Sequence, residues 1–105
     1  MRKFGLIGYP LGHSFSKKYF SEKFIRENIS DCQYENYPLT SIDLLDKLIS
    51  NNSDLYGLNV TIPYKSAVIQ YLDIIDEQAR SIGAVNVLKF VKSGDKVLLK
   101  GFNTD

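Results

Sequence analysis

The chain has 105 residues, 44% of them hydrophobic and 24% charged. That is one globular domain of ordinary size, and the composition argues against a disordered, collagen-like or coiled-coil chain. Thirteen Lys and Arg against 12 Asp and Glu leave a net charge of +1. No general attraction to nucleic acid or to a membrane surface follows, so a preference for an anion has to come from a local site.

Residues 4–8 form a short apolar run that stops at Gly8 and Pro10, which predicts a buried strand. The same run is too short for the hydrophobic part of a secretion signal, which needs roughly 7 to 15 residues. No stretch approaches the roughly 20 apolar residues of a membrane span. A loop over residues 9–14 follows, and Ser16 is placed to cap a helix running to about residue 28, with Phe20, Phe24 and Ile25 on one face. Residues 33–39 read as a second strand. The one cysteine, Cys32, excludes an internal disulfide and a Cys-based zinc site. It fits a reducing cytosol and reads as a small buried hydrophobe.

Thr40-Ser41-Ile42-Asp43 has the spacing of a capping box, and Ile42, Leu45, Leu48 and Ile49 make the following helix amphipathic. Asn51-Asn52-Ser53 ends it. Residues 55–62 predict a third strand, with Pro63 in the first turn of a short helix. Residues 73–82 predict one or two more helical pieces. Residues 85–92 and 96–100 flank Ser93-Gly94-Asp95, read as a three-residue hairpin turn. The order β-α-β-α-β-α-β-β predicts a three-layer α/β domain over residues 1–105. Its sheet is mixed but mostly parallel, with helices on both faces and a C-terminal β-hairpin.

Ligands of open α/β sheets bind beyond the carboxyl ends of the strands. Four segments fall there: residues 13–16, 59–65, 83–86 and 101–105. Ser14 and Ser16 stand at a helix N-terminus, which favours a carboxylate, although capping is the commoner use of Ser at such a place. Lys17 and Lys18 oppose the helix dipole but raise the local positive potential. Asn59, Thr61 and Asn86 are uncharged hydrogen-bonding groups suited to the hydroxyls of a sugar-like ligand, and equally to turns and strand ends. Lys65, in the first turn of a short helix, is an odd cation there. Paired with Asp105 it makes a candidate proton-handling dyad, against the alternatives of a solvated lysine and a frayed chain end. His13 is a candidate acid or base, more commonly structural in a loop. No metal-ligand spacing, G-x-G-x-x-G or P-loop occurs, so neither a metal nor a nucleotide is expected on this chain.

Four stretches resemble, in order, the N-terminal substrate-binding domain of the shikimate dehydrogenase family. They are residues 8–16 (Gly8-Tyr9-Pro10 through Ser14-Phe15-Ser16), 57–65 (with Asn59-Val60-Thr61 and Lys65), Gly83-Ala84-Val85-Asn86 and Gly101-Phe102-Asn103-Thr104-Asp105. The resemblance implies an oxidoreductase that reversibly reduces 3-dehydroshikimate to shikimate with NADPH, in the cytoplasm, as a step of aromatic amino-acid and chorismate biosynthesis. It implies that Ser14 and Ser16 hold the substrate carboxylate, that Asn59, Thr61, Asn86 and Asp105 line the pocket, and that Lys65 and Asp105 are the catalytic pair. Lys17, Phe20 and Tyr64 depart from the family pattern and bear on shikimate against quinate scope.

Members of that family continue past the Asn-Thr-Asp motif into an NADP-binding Rossmann domain and return to the first domain with C-terminal helices. The resemblance therefore implies a truncated chain with no dehydrogenase activity of its own and no bound NADP. It also implies association through apolar surface that the missing parts would cover. Alternative readings are a quinate/shikimate dehydrogenase of broader scope and a non-catalytic module that binds a hydroxylated carboxylic acid. A structural domain whose four segments are loop chemistry is a third.

Overall fold

The order of the strands across the sheet, β2-β1-β3-β5-β6-β4, decides where the chemistry gathers. The computed structural model describes residues 1–12 and 15–104. Six strands form one sheet among them: β1 (Arg2–Gly8), β2 (Cys32–Pro38), β3 (Leu55–Val60), β4 (Ile74–Ile75), β5 (Val87–Ser93) and β6 (Lys96–Phe102). Three α-helices, α1 (Phe15–Arg26), α2 (Leu45–Asn51) and α3 (Glu77–Ile82), and two 3₁₀ helices, Ile42–Leu44 and Ala67–Tyr71, complete the described elements. β1 pairs in parallel with β2 and β3, and β4 with β6, while β3–β5 and β5–β6 are antiparallel. The mixed, mostly parallel α/β architecture with a C-terminal hairpin is thus as expected.

The apolar runs become strands because both faces of the central ones are covered. On one face Ile7, Leu58, Val60 and Leu88 meet Leu45 of α2, Val68 of the second 3₁₀ helix and Ala79 of α3. Ile7, Leu45, Val68, Val85 and Leu88 are the largest side chains fully out of water, each contributing roughly 1.5 to 3 kcal/mol of transfer free energy. On the other face α1 lies over β2 and β1. There the Phe20 ring stacks on Tyr34 at 4.8 Å between centroids. The β3–β5–β6 part of this face has no helix over it among the described residues. It forms an apolar groove of about 560 Å³ whose walls include Phe4, Phe24, Tyr56, Val87 and Phe102.

Several local expectations change. Pro63 does not open a helix: Ile62 and Pro63, joined by a cis bond, are the middle of a turn closed by Tyr64 N–H donating to the Thr61 carbonyl at 3.0 Å. The turn sends the Tyr64 ring into the core, where its hydroxyl donates to the Leu39 carbonyl. Helix resumes only at Ala67. Lys65 therefore sits in the turn region before a 3₁₀ helix, not in a helix's first turn. Residues 73–82 hold a strand before their helix, because Asp73 is pinned to β6: its N–H donates to the Leu99 carbonyl at 2.9 Å, and Leu99 N–H donates to its carboxylate at 2.8 Å. The hairpin loop has two residues, since Ser93 pairs with Lys96 and Gly94 takes φ +65°. Ser41, not Thr40, caps the helical stretch, by accepting from Asp43 N–H at 3.3 Å. Ser16 lies inside α1 and does not cap it.

Candidate functional site

β1 and β3 run side by side and end together, so the segments after them meet at one sheet edge. Gly8 makes the close approach possible. A Cβ there would lie 2.5 Å from Thr61 Cγ2 and 2.9 Å from the Ile62 carbonyl oxygen. Thr61 N–H donates to the Ile7 carbonyl at 3.0 Å and Tyr9 N–H to the Ile62 carbonyl at 3.1 Å. A second set of backbone bonds draws in the C-terminal segments. Val85 N–H donates to the Lys65 carbonyl at 2.7 Å, Val60 N–H to the Asn86 carbonyl at 2.8 Å, and Asn86 N–H to the Phe102 carbonyl at 3.0 Å. Residues far apart in the chain are thereby fixed by main-chain bonds rather than by flexible side chains.

The result is an open cleft of about 280 Å³ whose polar walls are Ser16, Asn59, Thr61, Lys65, Asn86 and Thr104. These include five of the seven residues expected at the site. Ser14 and Asp105, and the loop candidate His13, lie outside the described residues. Lys65 is half-buried and has no ion-pair partner among the described residues, and no described carboxylate lines the cleft. Among the described residues no carboxylate opposes its charge at short range, an arrangement that favours an anion or a developing oxyanion.

Asn86 is held by both ends of its amide. Its Nδ2 donates to Thr104 Oγ1 at 3.0 Å, and its Oδ1 accepts from Thr104 N–H at 3.0 Å. That reciprocal pair fixes which amide atom faces which way and leaves one N–H and one lone pair for a ligand hydroxyl. Asn103, just before it, is buried and donates to the Ala84 carbonyl at 3.1 Å. Asn59 Nδ2 donates to the Tyr34 hydroxyl at 2.9 Å. Burial pushes the Tyr34 phenol above its ordinary range, while hydrogen bonds with Asn59 and Ser16 act the other way. Lys17 is ion-paired with Glu35 at 3.2 Å. A hydrogen bond from Gln33, together with Lys17, holds the Glu35 carboxyl below the usual carboxylate range. The positive potential expected from Lys17 is therefore largely spent on Glu35.

Known proteins supply the deciding comparison. The chain matches the family described as the shikimate dehydrogenase substrate binding domain over residues 6–88. The chain belongs to that family. A shikimate dehydrogenase (NADP(+)) from Staphylococcus epidermidis is 43% identical over 105 residues, covering 98% of this chain and 37% of that protein. The dehydroquinate dehydratase and shikimate dehydrogenase structure from Schizosaccharomyces pombe superposes with a TM-score of 0.89 at 37% identity, covering 98% of this chain and 19% of that one. A Thermus thermophilus shikimate 5-dehydrogenase in complex with shikimate gives a TM-score of 0.83 at 30% identity, covering 99% of this chain and 38% of that one. The chain thus spans little more than a third of the length of the single-function curated relatives it matches.

Two residues of this substrate-binding domain were not singled out from sequence. Thr104 was passed over between Asn103 and Asp105, because its role depends on Asn86 lying opposite. Tyr34 falls inside the second predicted strand. Its alternation with Asn36 on a strand predicted beside the first was the available signal, and nothing else in its local sequence marks it. Among the described residues no group of three or more His, Cys, Asp or Glu is placed to hold a metal ion, and no helix is long and apolar enough to cross a membrane.

Proposed function

We propose that residues 1–105 are the substrate-binding domain of a shikimate dehydrogenase. In this reading the whole enzyme reversibly reduces 3-dehydroshikimate to shikimate, as a step of aromatic amino-acid and chorismate biosynthesis in the cytoplasm. The observation that carries the reading is the meeting of Ser16, Asn59, Thr61, Lys65 and Asn86 on one cleft of a chain from this family. Ser14 and Ser16 take the substrate carboxylate. Asn59, Thr61 and Asn86 take the ring hydroxyls. NADPH, the hydride source, is held by a separate Rossmann domain, because this chain has no glycine-rich phosphate turn of the required spacing.

As a carbonyl carbon is reduced, its oxygen gathers negative charge and must gain a proton. The Lys65 ammonium suits both needs: it stabilises the oxyanion and donates the proton. In the oxidative direction neutral Lys65 takes the hydroxyl proton. Asp105, the residue after Thr104, is assigned to orient Lys65 and to bind the reacting hydroxyl. Lys65 is what separates this reading from a module that only binds a hydroxy acid, since binding alone has no use for a proton donor beside the hydroxyls.

An NMR titration of the chain with shikimate, and with quinate in parallel, tests the assignment. Shikimate should shift the amide signals of Ser16, Thr61 and Asn86 selectively. Shifts scattered away from the cleft, or equal shifts with an unrelated carboxylate, would overturn it. The apolar groove on the α1 face is assigned to the rest of a longer protein. Left open, it should cause the 105-residue chain to self-associate as concentration rises, read by sedimentation velocity. A clean monomer at the highest soluble concentration would count against that assignment.

A further inference from the structure

We infer that the Thr104 hydroxyl is a further ligand contact of this site, donating to a ligand oxygen beside the one that meets Asn86. The inference rests on the reading of the cleft as a polyol site. Thr104 lies just beyond β6 and stands on the cleft wall with Thr61, Lys65 and Asn86. It is exposed there, open to whatever the cleft holds. Two bonds of different kinds join it to Asn86. The Thr104 backbone N–H donates to Asn86 Oδ1 at 3.0 Å. Asn86 Nδ2 donates to Thr104 Oγ1 at 3.0 Å. The Asn86 backbone is fixed separately, its N–H donating to the Phe102 carbonyl at 3.0 Å and its carbonyl accepting from Val60 N–H at 2.8 Å.

The direction of the second bond follows from the first. A backbone N–H can only donate, so the Asn86 atom facing it is the amide oxygen. The other amide atom is then the nitrogen, which also can only donate, and Thr104 Oγ1 must accept from it. A hydroxyl that accepts one bond still has its own proton to give. Among the described residues Asn86 is the only partner of the Thr104 hydroxyl, so that proton is not spent within the fold. The pair therefore offers the cleft two donors 3.0 Å apart, the second Nδ2 proton and the Thr104 O–H. Adjacent oxygens of a vicinal diol stand at nearly that spacing, and such a ligand fits both donors at once. Asn86 Oδ1 keeps a lone pair to take a proton back from the nearer hydroxyl. The bond that Thr104 accepts from Asn86 also polarises its O–H and strengthens the one it gives.

Thr104→Val removes the hydroxyl but keeps the shape of the side chain and the backbone N–H that orients Asn86. Calorimetric titration of the protein at its natural length with shikimate reads its effect. We expect binding to weaken roughly three- to ten-fold, and to be largely kept in Thr104→Ser, which retains the hydroxyl. The deciding comparison is made in an Asn86→Ala background, where Thr104 has no amide to hold. A direct contact still loses affinity there when Val replaces Thr104, whereas a residue that only held Asn86 has nothing left to lose. Unchanged binding by Thr104→Val overturns the contact while leaving the substrate assignment standing. An Asn86→Ala/Thr104→Val double variant that binds as well as Asn86→Ala alone does the same, since Thr104 would then only position Asn86. A loss in Thr104→Ser equal to that in Thr104→Val also overturns it, because the effect would lie in the methyl group. Absence of shikimate binding by the unaltered protein overturns the substrate assignment, and the inference with it. Variants too weak for calorimetry are compared by kcat/KM for shikimate, and Thr104→Ala replaces Thr104→Val should the latter fail to fold, with the same outcomes.

Discussion

Replacing Lys65 with Ala should lower shikimate oxidation by the whole enzyme roughly 10²- to 10⁴-fold, the usual worth of a positioned proton-transfer group. Shikimate affinity should fall far less. The asymmetry follows from the proposed assignment, in which Ser16, Asn59, Thr61 and Asn86 of the cleft take most of the ligand's hydrogen bonds and Lys65 supplies the charge. The backbone of Lys65 is anchored independently, its carbonyl accepting from Val85 N–H at 2.7 Å. Truncating the side chain should therefore leave the Thr61–Tyr64 turn and the fold intact, with a melting temperature within a few degrees of the parent. Steady-state kinetics with NADP⁺ and shikimate, beside a binding isotherm for shikimate, make the comparison. Equal losses in turnover and affinity would make Lys65 a binding residue and remove it from the proton path.

Gly8→Val should be the most damaging single change at the site that alters no polar group. A Cβ at position 8 would stand 2.5 Å from Thr61 Cγ2 and 2.9 Å from a backbone oxygen. Backbone cannot swing aside as a side-chain tip can, so the strand ends must part. Overpacking of this kind typically costs about 1 to 3 kcal/mol, and the branched side chain adds bulk beyond the Cβ. The displacement passes to Thr61 and, through the turn that follows, to Lys65. Thermal unfolding should show a clear loss of stability, and shikimate affinity should fall with it. A variant as stable as the parent and binding equally well would mean the two strand ends are looser than their hydrogen bonds imply.

How much of this was visible beforehand depended on the length scale of the signal. β1 and β3 announced themselves by apolar runs, because a strand covered on both faces needs them. The helix pattern of Leu45, Leu48 and Ile49 was equally plain. β4 was missed because two residues carry no periodicity, and what makes Ile74–Ile75 a strand is Asp73 gripping Leu99 on another strand. Pro63 was misread because proline suits both a helix start and a turn. The choice was made by Tyr64, whose ring and hydroxyl are wanted in the core. At the site, the residues that the proposed function assigns to meet a ligand directly stood out by type and position. Those acting through a neighbour, Thr104 on Asn86 and Tyr34 on Asn59, did not, since their partners lie 18 and 25 residues away.

The last strand has an importance out of proportion to its seven residues. β6 is the antiparallel partner of β5, the parallel partner of β4, and the carrier of the segment that clamps Asn86. A nascent chain emerging from the ribosome could close β1, β2 and β3 early. It could not settle β4, the register of β5 or the amide of Asn86 until residues 96–104 had been made. The polar walls of the cleft would form in two stages, with the Asn86 wall arriving last. The domain would thus acquire the full geometry of its cleft only with its last strand.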